Sequence, residues 1–163
     1  MPTVEGSRVS RDPYRNLCFV LVLLIPAALL GFGTSYFRGL TFSGLAVTPL
    51  LHVHTAVMVL WLLVLIAQAW FIRTMRFRLH RWVGRSSFVI VPLIIALALM
   101  ATHESLTRKM PGISAEDARL EVYTWGQLVG FGLAWGLGIL YRKRTPSHVR
   151  FMISTVFGIG SAI

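Results

Sequence analysis

Five apolar runs, separated by shorter polar connections, set the pattern of this chain. The first, Leu17–Gly33, reads "LCFVLVLLIPAALLGFG" and stays only weakly polar as far as Phe37. The next three are Leu50–Ile72, Trp82–Thr102 and Val122–Tyr141, and a fifth starts at Phe151 and is still apolar at Ile163. Each of the first four approaches the ~20 residues that a helix needs to cross hydrocarbon. The fifth makes only about 20 Å of helix against a core of about 30 Å, so the natural chain is expected to continue past residue 163. The predicted fold is all-α. It is a single-domain polytopic transmembrane helical bundle over residues 1–163, with four full spans at about 16–37, 50–72, 82–102 and 120–141 and an incomplete fifth at 147–163.

Two connections are long. Residues 34–49, "TSYFRGLTFSGLAVTP", are half apolar and suit the membrane interface. Residues 103–121 are polar, with Pro111-Gly112 as a turn and Ser114 and Asp117 as the N-cap and N3 of the helix that follows. Pro26 and Pro92 are expected to kink the first and third spans. Trp70, Trp82 and Trp125 fall near span ends, where interfacial anchoring accounts for them.

Charge adds an orientation. Arg8, Arg11 and Arg15 precede the first span, Arg73, Arg76, Arg78, Arg81 and Arg85 surround the second turn, and Arg142, Lys143, Arg144 and Arg150 surround the fourth. The opposite side carries Arg38, Arg108, Lys109 and Arg119, offset by Glu104, Glu116, Asp117 and Glu121. Positive residues mark the cytoplasmic side, so the amino terminus is predicted to be cytoplasmic, in a multi-pass protein of the inner (plasma) membrane. The first run is long for a signal peptide and no clean cleavage site follows it, so it reads as an uncleaved span.

Composition agrees: the chain is 55% hydrophobic and only 13% charged, against roughly 25% in a soluble domain. The net charge of +10 is explained by topology, and no nucleic-acid partner is expected. Cys18 is the only cysteine, which excludes a disulfide framework, a CxxC zinc pair and an attached c-type haem. GxSxG, P-loop and HExxH motifs are absent, and no span has a carboxylate in its middle.

The candidate chemistry lies in the histidines. His52, His54 and His103 fall at the outer boundary, and His80 and His148 at the cytoplasmic one. His52 and His54 differ by about 200° around a helix, whereas His54, Trp61 and Gln68 keep within about 40° of one stripe. Gln68 must hide its amide from lipid, so that stripe is expected to face inward, leaving His52 at the rim. His80 shares a stripe with the small Gly84 and Ser87. His148 follows Pro146, which suits a helix start.

A b-type haem would need two histidines from different helices: His54 with His103 on the outer side, or His80 with His148 on the inner. No helix carries two histidines stacked at the thirteen- or fourteen-residue spacing of diheme bundles, and the deeper position below His54 is Gln68. A zinc or copper ion would draw on His52, His54, His103 and Glu104. The plainer reading is that these histidines bond loops and lipid headgroups. Gly126, Gly130, Ala134 and Gly138 recur at four-residue steps and predict a close helix-packing face, with Gln127 beside it as a second buried amide.

The segments "HVHTAVMVLWLLVLIAQAWF", "RLHRWVG" and "SHVRFM" together resemble a group of uncharacterised bacterial polytopic inner-membrane proteins. That group carries an H-x-H, a W…Q helix, an H-R-x-x-G turn and a late H-x-R-x-M. The similarity runs from about residue 50 to 152, with Thr55 where the group often has glycine. It implies His54, Gln68, His80 and His148 as positions to test and assigns no activity. Similarity to b-type cytochrome bundles is architectural only.

Three functions are compatible with these features. The first is a histidine-ligated haem or metal protein of redox or assembly function. The second is a non-catalytic membrane subunit or scaffold, packing through the glycine stripe on a protein partner or a second copy. The third is a small-solute or proton transporter, which the missing intramembrane carboxylate ranks last.

Overall fold

The computed structural model describes residues 19–23, 48–109, 112 and 114–156. The rest of the first predicted span with Pro26, the amino-terminal arginines, the interfacial segment up to residue 47 and the end of the fifth run lie outside the described residues. Among the described residues every regular element is an α-helix. They are a short helical piece at 19–23, then α1 (Pro49–Arg73), α2 (Phe77–Lys109), α3 (Ala115–Leu140) and α4 (Thr145–Ser154).

Local chemistry sets the helix ends. Thr48 caps α1, its hydroxyl accepting from the Leu51 amide at 3.3 Å, and Pro49 fills the first turn. At the other end the Met75 amide donates to the Ile72 carbonyl and the Arg76 amide to Phe71, the two bonds of a Schellman motif. Met75 takes the left-handed conformation there, at φ 58°, a place normally given to glycine. Ser114 and Asp117 form the predicted capping box on α3.

Helix α2 runs beyond the predicted 82–102 at both ends. No breaker intervenes between His103 and Pro111, and Arg108 donates to Glu104 one turn back at 2.6 Å, so the helix continues to Lys109. His103 and Glu104 thus lie on a helix, not in the polar connection. Pro92 sits inside α2.

Helices α1 and α2 pair as a hairpin, α3 and α4 as another, and α2 meets α3. The shared core is Met58, Trp61, Leu62 and Leu65 of α1, Val91 and Ile94 of α2, and Phe131 of α3. Trp61 meets Phe131 edge-on at 6.2 Å, and Phe88 meets Trp135 at 5.4 Å. The buried set also includes polar His54, Ser87, Thr102 and Thr155, while Leu63, Val89, Val129, Leu133 and Leu140 face outward. Among the described residues two helices, Pro49–Arg73 and Phe77–Arg108, are long and apolar enough to cross a membrane.

The small-residue stripe of α3 splits in two. Ala134 and Gly138 are buried, and a Cβ on Gly138 would lie 2.9 Å from Met152 Sδ and 3.6 Å from Phe151 Cβ of α4. Gly126 and Gly130 are exposed, with nothing within 4 Å of a Cβ among the described residues. Only the second half of the predicted face packs on a described helix, because α4 is short and reaches no further along α3.

Candidate functional site

The turn between α1 and α2 and the turn between α3 and α4 come together at one end of the bundle, and His80 and His148 meet there. Each lies in the first turn of its helix, α2 and α4 respectively. Their ring centres are 6.5 Å apart and their planes are nearly perpendicular at 85°.

His148 is held by α3. Its Nδ1 lies 2.7 Å from the Gly138 carbonyl. A carbonyl can only accept, so Nδ1 carries the hydrogen and, in the neutral ring, Nε2 keeps the lone pair. The same bond satisfies a carbonyl in the last turn of α3, where main-chain acceptors run out of helical partners. The glycine at 138 is what lets α4 approach this closely.

His80 is half-buried and its Nδ1 is buried with no hydrogen-bond partner among the described residues. Gln68 of α1 lies alongside. Its amide nitrogen would be 3.7 Å from a Cβ on Gly84, one turn along α2 from His80, and both its amide N and O are buried and unpartnered. Below Gly84, the buried Ser87 hydroxyl turns back to the Gly84 carbonyl at 2.7 Å. Gln68 Nε2, Gln68 Oε1 and His80 Nδ1 are thus buried without a hydrogen bond among the described residues, while the Gln68 main chain lies within bonding reach of the His80 ring.

The outer end is arranged differently. His54 is 3% exposed with its Nδ1 unpartnered, whereas His52 and His103 are exposed. Glu104 is engaged by the Thr48 hydroxyl at 3.2 Å and by Arg108, tying the start of α1 to α2. Among the described residues no three of His, Cys, Asp and Glu gather as a metal-binding group. The proposed set of His52, His54, His103 and Glu104 is thus not assembled, because His52 and His54 diverge around α1 and His103 points outward. His54 is buried and His103 exposed, so the two do not share a face of the bundle. Gln127 is half-buried, with its Oε1 buried and unpartnered among the described residues.

Sequence reasoning missed three partners. The Gly138 carbonyl as the anchor of His148 had no sequence signal, since any main-chain carbonyl qualifies. Thr155, which accepts from the Trp61 indole at 3.1 Å, had a partial one: a buried tryptophan N–H needs an acceptor, but its identity is set by tertiary contact. Met152, which fills the Gly138 notch, reads as one apolar residue among many. No protein-family model, no curated protein and no solved structure matches the chain, so the functional reading rests on this geometry.

Proposed function

We propose that the chain is a multi-pass inner-membrane protein that holds one metal centre, haem iron or a single transition ion, between His80 and His148. The observation that carries this reading is the 6.5 Å between the two ring centres. Two imidazoles on opposite sides of one metal, at roughly 2 Å per bond, sit with their centres about 6 Å apart, whereas at a tetrahedral ion the separation falls to about 5 Å. A metal-bound histidine typically donates its other ring N–H to a carbonyl or carboxylate, the arrangement that His148 has with Gly138. Imidazole suits iron, copper and zinc. The protein is then of redox or assembly type, a member of the bacterial group it resembles.

Four full spans with a cytoplasmic amino terminus follow from the apolar runs and the basic turns. The two long apolar helices and their outward-facing Leu and Val side chains support this placement. It puts the histidine pair at the cytoplasmic face. Metal analysis and a dithionite-reduced minus oxidised spectrum of the purified full chain test the reading. One metal per chain in the native protein, lost in H80A and H148A and kept in H52A, is the expected result.

A second reading is favoured by the His148–Gly138 bond itself, which also serves as a helix cap. In that reading the chain is a packing subunit and the histidines hold turns together. It predicts a metal-free protein that H148A destabilises.

A further inference from the structure

The meeting of His80 and His148 sets the α1–α2 turn, with Arg76, and the first turns of α2, with Arg78 and Arg81, beside the α3–α4 turn, with Arg142, Lys143 and Arg144. No Asp or Glu occurs from Pro13 to His103 or from Val122 to Ile163, so these segments contain no carboxylate to neutralise the cluster. At the end of α3 lies a shallow, open depression of ≈ 330 Å³, lined by Gly136, Ile139 and Leu140 and by Arg142 and Lys143. Its floor is open because Gly136 has no side chain and nothing lies within 4 Å of a Cβ there among the described residues. Leu140 is 71% exposed among the described residues.

The turn that presents the two cations is well fixed. The Arg142 amide donates to Ile139 at 3.3 Å, the Arg144 amide to Tyr141 at 2.8 Å, and Tyr141 stacks on Phe151 at 5.8 Å. An apolar trough that opens onto two cations matches an amphiphile with one charged end. We propose that this depression binds an anionic glycerophospholipid, its acyl chain along Ile139 and Leu140 and its phosphate at Arg142 and Lys143. Charge complementarity selects this occupant over a zwitterionic lipid, whose headgroup carries its own cation. The inference rests on the membrane reading above.

The test uses the purified full chain in a non-ionic detergent, with lipid binding followed by native mass spectrometry and thermal shift. Each basic residue near an anionic lipid strengthens binding by roughly five-fold. Phosphatidylglycerol is expected to bind at least about ten-fold tighter than phosphatidylcholine. R142A/K143A, at two exposed positions, is expected to weaken phosphatidylglycerol by roughly thirty-fold. G136L should weaken it by filling the trough, and inorganic phosphate at matched ionic strength should not compete. Equal binding of the two lipids, or full preference retained by R142A/K143A, overturns the proposal. Competition by inorganic phosphate alone also overturns it, since it would show a simple anion site. Alkaline carbonate extraction separates the two failures: a chain kept in the membrane pellet without lipid preference sinks the lipid site alone, and a chain released by carbonate sinks the membrane reading.

Discussion

Trp61 donates its indole N–H to the Thr155 hydroxyl at 3.1 Å, fastening the middle of α1 to the end of α4 across 94 positions of chain. Trp61 is 1% exposed and Thr155 0%, so a lost partner would find no water to replace it. An orphaned buried donor costs about 1–3 kcal/mol in water-soluble proteins, but side-chain bonds between membrane helices average only ~0.6 and reach ~1.7 kcal/mol. On the membrane placement proposed above, the second scale governs. Thr155→Val is expected to cost about 1 kcal/mol. Trp61→Phe should cost more, because it also empties volume beside Phe131. In thermal or denaturant unfolding the double variant should lose less than the two costs combined; strict additivity would show that the bond carries no energy.

Met75 closes α1 from the left-handed region and is 71% exposed. Its side chain contributes little packing, while its Cβ strains the turn by about 1 kcal/mol. Met75→Gly should therefore raise stability by up to about 1 kcal/mol, reduced somewhat by the added freedom of the unfolded chain. Met75→Ala, which keeps the Cβ, should not. Unfolding midpoints of the two variants decide it.

The glycines of α3 should respond in opposite ways. At Gly126 and Gly130 a Cβ meets nothing among the described residues, so alanine is expected to stabilise by up to ~1 kcal/mol through helix propensity. At Gly138 the same change presses on Met152 Sδ at 2.9 Å, which cancels much of that gain. Gly138→Leu cannot be absorbed and should displace α4 with His148. Destabilisation by alanine at 126 or 130 would mean that another helix covers that face in the native protein.

How much of this was legible in the sequence depends on the range of the interaction. The helices of 49–73 and 115–140 follow from apolar runs, and the start of the second from Ser114 with Asp117, whereas the Thr48 cap and Pro49 fall in the stretch that reads as an interfacial connection. The burial of His54 and exposure of His52 follow from helical period and the need to hide Gln68. The approach of His80 to His148 was legible as two histidines at the same depth, though not its 6.5 Å. The Schellman turn at Met75 was not, because methionine gives no sign of a left-handed residue. Nor was the extension of α2 through His103, since the polar stretch that reads as a loop is helical on the strength of Glu104 and Arg108. The outer metal set failed because shared depth says nothing about shared direction.

The decisive experiment for a metal between His80 and His148 is metal content together with the reduced-minus-oxidised spectrum of the purified full chain, expressed with iron, copper, zinc and haem supplied. His148→Ala is carried through in parallel. About one metal or haem per native chain and none in the variant, with both proteins folded and inserted, is the expected result. A native chain that is metal-free and spectroscopically flat would rule the centre out and leave His148 as the cap of α3.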